Sequence, residues 1–179
     1  MSQENILIDE GKVDHLLNLL NQEQIISYIS NDIVNLLIEN KEKEKTCIIN
    51  ENDPLYSNKI PKIKIEDYLN RFFIYSKMEI STLILTYIYI KRFIHKENYV
   101  ISFRNIFRLI MSCAILAIKF NENKVYKNTF YAKVGGFDVD DLNNLEYNIF
   151  SRLDFNLRVY DKDFFEVVLN IYKDTFEEV

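Results

Sequence analysis

Ser102-Phe-Arg-Asn-Ile-Phe-Arg-Leu-Ile110-Met-Ser-Cys-Ala-Ile-Leu-Ala-Ile-Lys119-Phe120 is the stretch on which the fold turns. Phe103, Ile106, Phe107 and Ile110 recur at helical spacing, and Ser102 offers a hydroxyl to the free amides of a first turn. The run Ile110 to Ile118 is then apolar almost throughout, which predicts a helix buried on most of its circumference and closed by Lys119. Downstream, Asn128 is placed to cap a short helix ended by Gly135, whose missing Cβ permits a left-handed turn. Asp138, with Asp141 three residues on, opens another helix. Its stripe is Leu142, Leu145, Ile149 and Leu153, with Glu146 beside it.

Upstream, the stretch from about Glu79 to Lys96 contains Leu83-Ile-Leu-Thr-Tyr-Ile-Tyr-Ile90, rich in β-formers. It has neither Gly nor Pro and is too long for an ordinary strand, so a central helix packed on every face is expected. Ile65 to Ser76 reads as an amphipathic helix with Tyr68, Leu69, Phe72 and Phe73 on one side. From Val13 to about Asn40, Leu16, Leu17, Leu20, Ile25, Ile29, Ile33, Leu36 and Leu37 stand at helical spacing, with a break near Asn21. The segment from about 41 to 62 collects charged residues and turn formers and reads as a solvated linker. A last helix is expected over about Lys162 to Phe176.

The whole chain has 179 residues, within the size of one domain, and only three glycines and two prolines with 48% apolar residues. An all-α globule follows. A net charge of -5 disfavours binding to a phosphate backbone. Cys47 and Cys113 form no Cys-x-x-Cys pair and are expected to be reduced thiols. The N-terminus has no secretory pattern and the most apolar stretch, Ile80 to Ile90, is far short of the ~20 residues that span a bilayer. An intracellular protein, in nucleus or cytoplasm and without a membrane, is the expectation. His15 and His95 have no nucleophile or carboxylate cluster around them, so no catalytic residues, metal or cofactor are expected.

Taken together, Lys119, Glu146 and the residues around them resemble the cyclin box. Within the cyclins the likeness is to the P/U-type, phosphate-response-like group, whose Asn-x-x-Arg-Leu is seen here as Asn105-Ile-Phe-Arg108-Leu109. The group's Tyr-x-Asn-x-x-Tyr-Ala-x-Val-Gly-Gly runs from Tyr126 to Gly136, and its Leu-Asn-x-Leu-Glu from Leu142 to Glu146. The resemblance implies a single five-helix box over residues 63–159, an N-terminal amphipathic helix and polar linker over 1–62, and a C-terminal helix over 160–179. About 25 residues follow the box core, too few for a second repeat of five helices.

Taken singly, a lysine at the end of a buried helix is a snorkelling side chain and a glutamate on an amphipathic helix faces solvent. The resemblance assigns them jointly. It implies that Lys119 and Glu146 meet on a surface that binds the αC helix of a cyclin-dependent protein kinase, with apolar contact from Phe120, Phe150, Phe155 and Leu157. The implied function is a regulatory subunit that forms a heterodimer with the kinase and holds αC in its active position. The alternative is a cyclin-fold scaffold or transcription-factor-like adaptor.

Three departures from the family stand out. Its Tyr-Ile-Asp-Arg-Phe appears as Tyr89-Ile-Lys91-Arg92-Phe, and its helix-one Met and Arg fall on Pro61 and Lys62, with Tyr68 at the Trp position. The internal Arg–Asp pair becomes Lys62 with Lys91, so Lys91 needs another partner or points to solvent. A substrate-docking patch of the cell-cycle kind is accordingly not expected.

Overall fold

The computed structural model describes residues 10–46 and 50–177; Cys47 lies outside them. Within them the chain forms eight helices and no strand: α1 (Glu10–Leu19), α2 (Gln22–Thr46), α3 (Ile65–Ser76), α4 (Ile80–Glu97), α5 (Ile106–Asn121), α6 (Asn128–Gly135), α7 (Val139–Arg152) and α8 (Asp161–Phe176). The fold is all-α, with α3 to α7 as the five box helices and extra helices at both ends.

At the centre, α5 packs against α4 on one side and α7 on another. Every residue from Ile106 to Ile118 except Arg108 is buried, as is every residue of α4 from Thr82 to Ile90. Each fully buried Ile or Leu contributes about 1.5–3 kcal/mol relative to exposure, so these two helices supply the largest apolar share of the core. The β-formers of α4 are helical because tertiary burial on all faces outweighs a weak local preference.

The N-terminal helices share this core. Ile25, Ile26, Ile29, Ile33 and Leu37 of α2 are buried in the same cluster as the box. The break between α1 and α2 is a reciprocal cap: the Asn21 amide donates to Gln24 Oε1 at 2.8 Å, and the Gln24 amide to Asn21 Oδ1 at 2.9 Å. Lys91 finds its partner here, in Asp32 of α2 at 2.9 Å, and the hydroxyl of the buried Tyr87 donates to the same carboxylate at 3.0 Å. An acid of α2 thus supplies the partner that Lys91 needs.

Four local expectations are corrected. The helix expected to start at Ser102 begins at Ile106, after a turn in which Asn105 Oδ1 accepts from the Ser102 amide at 2.8 Å and Asn105 Nδ2 donates to Val100 O at 3.1 Å. Phe103 is consequently exposed. Asn128 is the first residue of α6, not its cap. The left-handed residue after α6 is Gly136, at φ 77°, whereas a Cβ on Gly135 would lie 2.8 Å from Met111 Sδ, so Gly135 leaves room for that side chain.

The stretch read as linker is the fourth. The α2 helix continues through Lys41 to Thr46, its alternating charges tolerated on a helix, and Leu55 is fully buried. Asp53 accepts from Arg152 Nη1 at 3.3 Å, while the same guanidinium donates to Glu97 at 2.8 Å and lies 4.5 Å over the Phe93 ring. Arg108, the arginine of the Asn-x-x-Arg-Leu motif, donates from Nε to Pro54 O at 2.8 Å and forms a forked pair with Asp141. Turn formers without periodicity therefore mark a strap, held by one arginine from α5 and another from α7.

Two consequences are measurable. Asp32→Ala removes the acceptor of the buried Tyr87 hydroxyl and the partner of Lys91, so thermal unfolding should show a loss of roughly 1–2 kcal/mol, with Asp32→Asn losing less because an acceptor remains; equal stability of Asp32→Ala would show that α2 is not held through this carboxylate. Burial pushes the Tyr89 hydroxyl up to about 12, opposed by Arg92, and pushes Tyr68, Tyr87 and Tyr99 up as well. The folded state holds these protons more tightly than the unfolded one, so their contribution is intact below the ordinary tyrosine value of about 10 and is lost as pH rises beyond it. Denaturant midpoints should fall between pH 9.5 and 12 more steeply than the titration of lysines and exposed tyrosines accounts for; a flat profile would contradict this.

Candidate functional site

Lys119 stands in the last turn of α5, where the buried run of the helix gives way to solvent, and Glu146 sits on the α7 face beside Leu142, Leu145 and Ile149, all fully buried. Packing α7 against α5 brings the two together: Lys119 Nζ lies 2.6 Å from Glu146 Oε1 and 2.7 Å from Oε2. The lysine side chain is 36% exposed and the glutamate 18%, so the pair forms the floor of an open surface and not a core bridge. Asn128, at the start of α6, donates from Nδ2 to Glu146 Oε2 at 2.7 Å and to Asn143 Oδ1 at 2.7 Å.

The next turn is fixed from behind. Glu122, which caps α5, accepts from the Glu79 amide at 2.7 Å and from the buried Thr82 hydroxyl at 2.5 Å. Asn121 Nδ2 donates to the same Thr82 oxygen at 2.9 Å. The end of α5 is thereby tied to the start of α4, and Phe120 between these anchors is left 56% exposed.

Beyond α7 the backbone makes an unusual reversal. Asp154 and Phe155 both take positive φ, each 56°, a conformation that costs a non-glycine residue roughly 1–2 kcal/mol. The Phe155 amide donates to Phe150 O at 2.9 Å, and Lys96 pairs with Asp154 at 2.7 Å. The reversal holds the Phe155 ring 57% exposed, edge-on to Phe150 at 5.1 Å and 6.4 Å from the exposed Tyr147. The backbone strain is held by surrounding contacts while the ring is turned outward.

Of the six residues singled out, Lys119 and Glu146 are in direct contact, Phe120 and Phe155 are exposed, and Phe150 is half-buried against the core. Leu157 differs. Only 8% of it is exposed, and its carbonyl accepts from the buried Tyr89 hydroxyl at 2.7 Å, so it supports the reversal from beneath. Tyr147 and Asn128 were not singled out as site residues. Tyr147 follows Glu146 off the apolar stripe, where periodicity assigns solvent; Asn128 stands in the Tyr126–Gly136 motif but was assigned a capping role.

Elsewhere, Pro61 and Tyr68 line a recess of about 390 Å³ with Phe103, Phe107, Arg71 and Arg104. The Tyr68 hydroxyl is buried there without a hydrogen-bond partner. Cys113 is wholly buried in α5, and burial pushes its thiol up. His15 and His95 are exposed. Among the described residues no group of His, Cys, Asp and Glu is arranged to hold a metal, and no helix is long and apolar enough to cross a membrane.

Comparison with known proteins identifies the family. Residues 20–157 match the cyclin family model, a span that takes in α2 as well as α3 to α7. The chain is 40% identical to Cyclin-U2-1 of Arabidopsis thaliana over 101 residues, 56% of this chain and 46% of that protein. It is 30% identical to Cyclin-P3-1 of rice over 140 residues, 78% of this chain and 57% of that protein, and 38% identical to Arabidopsis Cyclin-U3-1 over 104 residues. The chain spans about half the length of the curated relatives it matches. With residues 20–157, most of the chain, matched by the family model, this chain belongs to the cyclin family, with its likeness to the P- and U-type members.

Proposed function

We propose that the chain is the regulatory subunit of a cyclin-dependent protein kinase, which it binds through the Lys119–Glu146 face and activates by holding αC inward. The observation that carries this reading is the pair itself: two opposite charges joined at the open end of a buried helix, with Phe120 exposed next to the lysine and Tyr147 next to the glutamate. The exposed end of a partner helix presents carbonyls that want donors and amides that want acceptors. Lys119 has three donors, two of them used on Glu146, and the carboxylate keeps acceptor capacity beyond its present bonds.

Charge-assisted hydrogen bonds of this kind are worth about 1.5–3 kcal/mol each once solvent is excluded. Phe120, Tyr147, Phe150 and Phe155 would exclude it. Kinase catalysis requires the strand-three lysine to pair with the αC glutamate, and moving that equilibrium from about 1:99 to 99:1 takes roughly 5.5 kcal/mol of differential binding. Two placed charges and an aromatic rim are sufficient for that, and the cyclin performs no chemistry of its own. The box at residues 63–159 carries the kinase face in this reading, and α2 braces it through Asp32.

The test is binding and activation of a panel of recombinant cyclin-dependent kinases by the wild-type chain, Lys119→Glu and Glu146→Ala, with phosphorylation of a generic Ser-Pro substrate as readout. Wild type should bind and activate at least one kinase. Both variants should lose at least about tenfold in affinity, with melting temperatures within a few degrees of wild type. Binding without activation would favour an adaptor, and loss of activation only in step with loss of folding would remove the pair from the interface.

A further inference from the structure

Asn128 is bonded to the functional pair yet lies on neither of its helices. Its Nδ2 group donates two short bonds, to Glu146 Oε2 and to Asn143 Oδ1, both at 2.7 Å. Its own Oδ1 is buried without a partner. An amide flip would aim the oxygen at the Glu146 carboxylate, which can only accept, so the orientation is dictated by Glu146 even at the cost of an orphaned carbonyl. A side chain serving only the start of α6 would turn its oxygen to the free amides of that first turn; this one does not.

Lys119 alone leaves Glu146 free to pivot, because a lysine is a point charge on a flexible stem that follows the carboxylate. Asn128 supplies a second, non-collinear bond from a helix start packed on α7. We infer that Asn128 is a positioning residue for the proposed kinase site, fixing the Glu146 carboxylate so that its remaining acceptor positions face the partner helix. Preorganising the acceptor removes an ordering cost from binding. Asn143, one turn earlier on α7, takes up the second Nδ2 proton of Asn128.

This inference rests on the kinase-binding reading, and its test separates the two. Measured against the tightest-binding kinase of the panel, Asn128→Ala should weaken binding roughly tenfold, the fold-change expected from losing one hydrogen bond to a charged group. Asn128→Asp, which sets two carboxylates against each other, should weaken it further. Combining Asn128→Asp with Glu146→Gln exchanges donor and acceptor across the same contact, while Asn143 can turn its amide to donate. The double variant should bind better than Asn128→Asp alone, a rescue that a purely structural asparagine would not give.

A partner-independent readout accompanies it: in the free chain, Glu146→Gln should shift the side-chain amide proton resonances of Asn128. If Lys119→Glu and Asn128→Ala both bind as wild type, the kinase-binding reading falls. If Lys119→Glu fails but Asn128→Ala binds as wild type, the positioning role alone is overturned. Unmoved Asn128 amide resonances in Glu146→Gln would overturn it whichever kinase is used.

Discussion

A helix apolar on nearly all sides can exist in water only if other elements surround it, and α5 is that constraint. Its buried run from Ile106 to Ile118 requires α4 and α7 along its flanks. Gly135, at the end of α6, leaves room for the Met111 side chain of α5. Lys119 comes at the point where that cover ends. The position of the candidate site is thus a consequence of burial: the first charged residue after twelve buried ones emerges where α7 has been drawn in, and α7 carries Glu146 with it.

The same packing ties down the surface around the pair. Glu122 and Asn121 tie the end of α5 to Thr82 of α4, Asn128 ties Glu146 to Asn143, and the Asp154–Phe155 reversal is held by its bond to Phe150 O. Each bond lies close behind an exposed or half-exposed group that the proposed interface uses. Rigid presentation matters because a partner gains most from groups that need no further ordering on binding. Strain at Phe155, two left-handed residues in succession, is tolerated because an aromatic pair and an ion pair hold the turn.

Much of this was legible in the chain, and the misses have a common cause. Periodicity located α3, α4, α7 and α8 to within a residue or so at their ends, since an apolar stripe of several turns is a signal that packing reinforces. Lys119 and Glu146 were legible through the resemblance of their surroundings to a known pattern. Contacts between residues far apart in sequence carry no local signal. Asp32 with Lys91, Asp53 with Arg152 and Arg108 with Pro54 O join segments that spacing rules treat separately, which is why 41–62 read as solvated and why α2 looked merely adjacent to the box. Asn128 was misassigned for a related reason. Its capping role was read from neighbours in sequence, whereas its hydrogen bonds go to α7.

The central claim is that the end of α5, the start of α6 and the end of α7 form the surface that meets the kinase. Hydrogen–deuterium exchange on the complex tests it most directly, comparing each partner free and bound. The account predicts new protection at residues 118–122, 127–130 and 146–157 of this chain together with the αC segment of the kinase. Protection confined to α2 and α8, or to the recess around Tyr68, with αC unchanged, would contradict it.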